Sequence, residues 1–287
     1  MSKLKEYSLA QFNTEFPDDD ICLEFLFRQW YDRVPCCPGC GVIKGQFHRI
    51  RKRRCYACAD CRYQVYPTAG TIMHRSTTSL KTWFTAIYLF SVSKNNVSAL
   101  ELQRHLGVTY KCAWRIGHSI RVGMSREETD PLRGIVEADE AYIGGRRRSS
   151  NRFSNKTPLL GVVERGGRVR IEVASGANAS TAIPFLRANV AVGSILHTDE
   201  SRIYNRAFKT FHHYTVAHSK YEFVRGEDYT NTIEGVWGLL KPSWNGTHRS
   251  VSKKYMQFYA NEFVWRYNRR NEPQLFPLLL VAAAQPL

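Results

Sequence analysis

Apolar residues recur at helical spacing through the first third of the chain, give way to alternation, and return to helical spacing near the end. Asp18, Asp19 and Asp20 cap and charge the start of a helix running through Ile21, Leu23, Phe25, Leu26 and Trp30. Residues 34–70 break the period. They are rich in Cys, Gly, Arg and Tyr and predict short strands at best. Leu80, Trp83, Phe84, Ile87 and Tyr88 restore it. Residues 97–109 then read as a short helix, a turn at Gly107 and a cap at Thr109, and residues 110–121 as a longer basic helix. That is a helix-turn-helix pattern, a shape that helical bundles also use. Pro131 and Gly134 mark a boundary.

Beyond it the pattern becomes α/β. Residues 135–142 alternate as a strand, and 159–164 with 169–174 predict a hairpin across Arg165-Gly166-Gly167-Arg168. Residues 181–190 predict a helix with Pro184 in its first turn. Residues 192–197 predict a strand that delivers Asp199. Helices follow over 233–240 and 253–267.

Charge changes the picture. The 287 residues carry 41 Lys and Arg against 25 Asp and Glu, a formal +16. An excess of that size points to a polyanionic partner. The cations cluster: Lys44, Arg49, Arg51, Lys52, Arg53, Arg54 and Arg62 in one region, and Arg146, Arg147, Arg148 and Arg152 in another. Lys111 and Arg115 lie on the second helix of the helix-turn-helix pattern. Such groups follow a phosphate backbone and give salt-sensitive affinity. The N-terminus has no apolar signal stretch, and residues 276–284 are too short to span a bilayer. The expectation is a cytoplasmic, nucleoid-associated protein with no membrane partner.

Eight cysteines in a reducing compartment point to metal rather than disulfides. Cys37-Pro38-Gly39-Cys40 and Cys58-Ala59-Asp60-Cys61 are two C-x-x-C turns about seventeen residues apart, which suits structural zinc held by four thiolates. Gly41 frees the backbone under the first turn. Cys55-Tyr56-Ala57-Cys58 is also a C-x-x-C, so a shifted register stays open, with Cys58 and Cys61 preferred. His48 is an alternative ligand, with an exposed strand residue as the preferred reading, and Cys22 and Cys112 read as core.

Three acids stand out against the basic background. Asp139 lies in the first α/β strand, Asp199 at the end of a later strand and Glu234 on a helix. Such a set can hold two hard cations, Mg²⁺ or Mn²⁺, for in-line displacement at a phosphodiester. Asn231, one turn before Glu234, is the alternative third member. Lys241 lies two turns beyond Glu234 on the same face, placed to hold a phosphate. Glu137 shares Asp139's side of the strand and is a spare candidate, with a solvated neighbour as the commoner reading, while Glu140 points to the other face.

These residues carry a resemblance. Val136-Glu137-Ala138-Asp139-Glu140-Ala141-Tyr142-Ile143-Gly144-Gly145 is similar to the first catalytic strand of ISXO-like insertion-sequence transposases with an N-terminal zinc ribbon. Residues 218–226, Asn231-Thr232-Ile233-Glu234-Gly235-Val236-Trp237, residues 251–255 and residues 262–268 resemble later blocks of that family. The resemblance implies an α/β, RNase H-like (DDE integrase-type) catalytic domain at 131–271. It follows an N-terminal helical segment at 1–33, a zinc ribbon at 34–72 and a helix-turn-helix-like region at 73–130, and precedes a tail at 272–287. It implies a metal-dependent Asp139, Asp199, Glu234 site, with Asn231 in place of Glu234 in some relatives and Lys241 as the trailing basic residue. The implied activity is DNA end cleavage and strand transfer on transposon ends and target DNA, by a homodimer or larger assembly. A catalytically silent DNA-binding regulator and a host nuclease are the rival readings.

Overall fold

The computed structural model describes residues 7–125, 130–144, 156–216, 230–248 and 251–287. The chain forms two compact units, one of residues 1–126 with 271–287 and one of residues 127–270.

The first unit opens with α1 (Leu9–Glu15) and α2 (Asp19–Arg33). Asp18 caps α2 by accepting from the Ile21 amide, as the acidic run predicts. A small antiparallel sheet follows, β1 (Phe47–Ile50), β2 (Cys55–Cys58) and β3 (Gln64–Val65), in the order β1-β2-β3. It has little core of its own and leans on α2, where Phe27 stacks on Tyr56 at 4.0 Å and meets Phe47 edge-on. Then come α3 (Leu80–Val92), α4 (Ala99–Leu106) and α5 (Tyr110–Met124). Gly107, at φ +64°, ends α4, and the Thr109 side chain caps α5. Residues 272–287, read from sequence as a tail, contain α9 (Leu275–Ala284), whose Phe276 packs against Phe12, Phe16 and Tyr88.

The second unit is built on a five-stranded sheet: β4 (Ile135–Ile143), β5 (Thr157–Glu164), β6 (Val169–Val173), β7 (Ile195–Asp199) and β8 (His212–Val216), ordered β6-β5-β4-β7-β8. β4, β5 and β6 are antiparallel, whereas β4, β7 and β8 run parallel. Helix α6 (Ala179–Asn189) covers one face, with Val136, Ala138, Leu160 and Val162 packed against Ala182 and Leu186. α7 (Asn231–Thr247) and α8 (Lys253–Asn268) cover the other, with Ala141, Leu159 and Val163 against Ile233, Val236, Trp237 and Val264. The alternation along β4 thus divides its side chains between two cores.

Three expectations change here. Asn178 caps the Ser180 and Thr181 amides, so α6 begins earlier than its apolar pattern and Pro184 falls in the second turn. Residues 191–194 form a turn with Gly193 at φ +83° and Val192 exposed, so β7 starts only at Ile195. α7 runs on past residue 240, the end of its apolar pattern, and through Pro242 to Thr247, because buried Leu240 and Trp244 hold the helix to the sheet on either side of the proline.

Candidate functional site

Four sulfurs converge where the first C-x-x-C turn meets the end of β2. One ligand atom from each of Cys37, Cys40, Cys58 and Cys61 lies within 4.8 Å of the others. The Sγ atoms of Cys37 and Cys61 are 3.5 Å apart, and those of Cys40 and Cys58 3.9 Å. A tetrahedral zinc with sulfurs at about 2.3 Å separates them by roughly 3.7 Å, so the set fits zinc and leaves no open position. Gly41 takes φ +72° after Cys40. Burial raises the Cys37 thiol, but amides of Cys40 and Gly39 outweigh it and bring it down to about 7. Cys55 lies apart from this set, buried with its thiol toward the Gln64 side chain, so the converging sulfurs are those of the Cys58 and Cys61 register. His48 is exposed, as expected. Cys22 is core, but Cys112 is only half-buried, against the Thr78 hydroxyl at 3.4 Å.

The acids meet at the rim of the larger sheet. β4 and β7 pair in parallel as far as Ala138 and Thr198, and β7 ends at Asp199 while β4 runs on. Asp199 thus stands at the carboxyl end of its strand, where open α/β sheets place their sites. One oxygen each from Asp139, Glu140 and Asp199 lies within 4.8 Å of the others. Oxygens on one octahedral cation are at most about 4.2 Å apart, so small side-chain movements make this hard-oxygen set fit a divalent cation. Glu140 is the member that sequence reasoning missed. Alternation does put it on the α6 side, where Tyr204 donates to its Oε2 at 3.1 Å. With β7 finished, nothing of that strand stands between the two faces at Asp199.

Proximity and burial leave their mark on titration. Burial raises Asp139 to about 6, helped by Asp199 and Glu234 and opposed by the Glu140 amide and Trp237. Burial also raises Glu140 to about 7, helped by Asp199 and Asp139. Acids that hold their protons this strongly mark a place where positive charge is favourable.

Glu234 is not part of the 4.8 Å cluster. It lines a pocket of about 460 Å³ with Asp139, Trp237, Gly238, Lys241 and Pro242. Glu234, Trp237, Gly238 and Lys241 follow one another at helical spacing along α7. Asn231, the first residue of α7, is exposed and does not line this pocket. Lys241 is exposed at the pocket wall.

Glu137 is no solvated neighbour. It is fully buried and caps α7, accepting from the Thr232 and Ile233 amides at 2.8 and 3.0 Å and the Thr232 hydroxyl at 2.9 Å. Arg165 Nε pairs with it at 2.8 Å. A guanidinium and a helix N-terminus thus both face this buried side chain. Through this latch the strand carrying Asp139 fixes the helix carrying Glu234 and Lys241.

The basic candidates divide. Arg51, Lys52 and Arg53 are exposed in the β1–β2 turn, and Lys111 is exposed at the start of α5. Arg54 is instead a strut, half-buried, paired with Asp19 and donating to the Ser76 carbonyl. Arg115 donates to the hydroxyls of Ser76 and Thr78. Arg146, Arg147 and Arg148 lie outside the described residues. Among those described, no helix is long and apolar enough to cross a membrane.

Comparison with known proteins converges on the same regions. Residues 131–268 match the ISXO2-like transposase domain, and residues 17–64 match the transposase zinc-ribbon domain. Together these two domains imply DNA binding. The chain is 28% identical over 253 residues to an uncharacterised protein in transposable element ISH50 of Halobacterium salinarum, covering 80% of this chain and 84% of that one. It is 29% identical over 105 residues to an uncharacterised transposase-like protein of Haemophilus influenzae, covering 35% of this chain and 81% of that one.

Proposed function

The chain belongs to the insertion-sequence transposases that join a zinc ribbon to an ISXO2-like transposase domain, and from that premise we propose that it cuts and joins DNA at the ends of a mobile element. The carrying observation is the carboxylate cluster of Asp139, Glu140 and Asp199 at a strand end, beside a pocket that adds Glu234 and Lys241. The order β6-β5-β4-β7-β8, antiparallel then parallel, supports an RNase H-like reading of this unit.

In this reading Asp139 and Asp199 are the central ligands of the cation site, and Glu234 is the third member. Glu234 is preferred to Asn231 because it lines Asp139's pocket. Glu140 adds a carboxylate on the far side of the rim. Asp139, Asp199 and Glu234 would hold two Mg²⁺ or Mn²⁺ ions, which would supply positive charge favouring deprotonation of the attacking oxygen and stabilising the leaving oxygen. Lys241 pairs with a non-bridging phosphate oxygen and orients the strand for in-line attack. In the first step water attacks the phosphorus at the element's end. The P–O3′ bond breaks and a 3′ hydroxyl is freed. In the second step that hydroxyl attacks a target phosphodiester. One P–O bond forms as another breaks, so no nucleotide cofactor is consumed.

Arg51, Lys52, Arg53 and Lys111 supply phosphate contacts to the terminal repeats, with the zinc ribbon and helix-turn-helix as the reading modules. Arg146, Arg147 and Arg148 hold donor or target phosphates. Two ends must be paired, so the protein works as a dimer or larger assembly on DNA, in the cytoplasm where the nucleoid lies.

The test is cleavage and joining of DNA carrying the flanking inverted repeats, with Mg²⁺ or Mn²⁺. Asp139→Asn, Asp199→Asn and Glu234→Gln are expected to lower both steps by about 10³-fold or more while end binding persists. Asn231→Ala is expected to keep them. Binding without any metal-dependent chemistry in the wild type would favour a silent regulator, and cutting of branched DNA without joining would favour a nuclease.

A further inference from the structure

We propose that Trp237 is a positioning residue for the carboxylate site, its indole N–H fixing the orientation of Asp139, and that Gly161 is a glycine to make room for the ring. The inference rests on the reading of Asp139 as a cation ligand.

Trp237 Nε1 donates to Asp139 Oδ2 at 2.9 Å. The ring is almost wholly buried, at 4% exposure, between α7 and the sheet. Gly161 stands directly across from Asp139 in the β4–β5 register. A Cβ built at Gly161 would lie 2.5 and 2.6 Å from Cζ2 and Cη2 of the indole. The backbone of Gly161 is outside the left-handed region, so conformational freedom does not account for a glycine in mid-strand. Space for the ring does. The tryptophan therefore lies across the Asp139–Gly161 pair, and donor, acceptor and glycine form one device.

An aspartate has a broad, roughly two-fold torsion about its last bond and loses freedom when it binds a cation. The indole N–H is a donor only, so it neither competes for the proton nor ligates the cation. By occupying one lone pair on Oδ2, it presents Oδ1 in a set direction before a cation arrives. The ring does this from the same helix that supplies Glu234, three residues before it, and Lys241, four residues after it.

The measurement is Mn²⁺ affinity of the zinc-loaded full chain without DNA, by calorimetry and by the electron paramagnetic resonance signal of free Mn²⁺. Trp237→Phe keeps an aromatic ring and removes the donor. Replacement of Trp237 by benzothienylalanine keeps the bicyclic shape and removes only the N–H, so a packing defect in the phenylalanine variant does not blunt the test. Both are expected to weaken Mn²⁺ binding about 10- to 100-fold with end binding unchanged. Gly161→Ala, which pushes the ring from its place, is expected to act in the same direction. A folded benzothienylalanine variant within two-fold of wild type would overturn the inference. Asp139→Asn separates the two levels. If it abolishes Mn²⁺ binding while the Trp237 variants do not, only the positioning role fails. If it leaves Mn²⁺ binding intact, the cation-site reading fails.

Discussion

The molecule carries two metal-binding constellations of opposite design. In the ribbon, four soft sulfurs converge on one point at the end of a small sheet that leans on α2 for its packing. In the larger unit, three hard carboxylates gather at a strand end beside an open pocket, within a sheet already packed on both faces. A closed soft set suits an ion whose binding is folding free energy. An open hard set suits an ion that works on a substrate. The difference teaches where function sits: removing metal from the first site should cost structure, and from the second should cost chemistry.

Zinc removal gives the largest break in this comparison. Structural zinc contributes roughly 10–16 kcal/mol of apparent binding energy in small domains. Cys58→Ser is expected to lower affinity for the element's ends at least about 10-fold, while Mn²⁺ affinity at the carboxylate site stays within two-fold. Titrations of DNA and of Mn²⁺ on the same sample check both halves, and a parallel loss of Mn²⁺ binding would refute the division of labour.

Glu137→Gln sharpens the other side. It takes the charge from the fully buried side of the pair with half-buried Arg165, at a cost of about 3 kcal/mol. Thermal unfolding of the second unit should move down by roughly 6–12 °C. An unchanged melting temperature would mean that the latch between β4 and α7 carries no weight.

Acidity offers a smaller effect with a definite sign. Asp139 and Glu140 titrate at about 6 and about 7 in the folded protein, above the ordinary values of 3.8 and 4.5. Their contribution to stability is therefore fully present below about pH 4 and lost as pH rises through 6 and 7. Without added divalent cation, the melting temperature of the second unit should fall by a few degrees between pH 5 and pH 8. Mn²⁺ should restore it, and Glu140→Gln should flatten the profile. A rise over that range would contradict the assignment. The smallest effect belongs to Cys55→Ala, which should keep one zinc per chain by metal analysis and cost about 1 kcal/mol.

The two constellations also differ in how far they are legible in sequence. The cysteine turns are local, and spacing alone names Cys37 and Cys40 and narrows the second pair to two registers that share Cys58. Asp139, Asp199 and Glu234 are far apart along the chain, and only a fold brings two strand ends and a helix together. Glu140 escaped because strand alternation assigns it to the opposite face, which is correct, and no periodicity tells where the neighbouring strand stops. Glu137 escaped because a charged residue in a strand reads as solvated until Arg165 and the start of α7 are seen around it. The signal for Trp237 was present in its position between Glu234 and Lys241 on one helical face. The helices and strands themselves were largely readable, and the failures at Pro184, at Val192 and at the far end of α7 came where a cap, a turn or flanking core residues outweighed local propensity.

The most direct test of the central claim is joining of a pre-cleaved end, with its 3′ hydroxyl exposed, to plasmid DNA by the zinc-loaded chain. With Mg²⁺ the wild type should yield joined product, and Asp139→Asn and Asp199→Asn should bind the end equally well and yield none. Joined product at wild-type levels from either variant, or none from the wild type under conditions where it binds the end, would contradict the account.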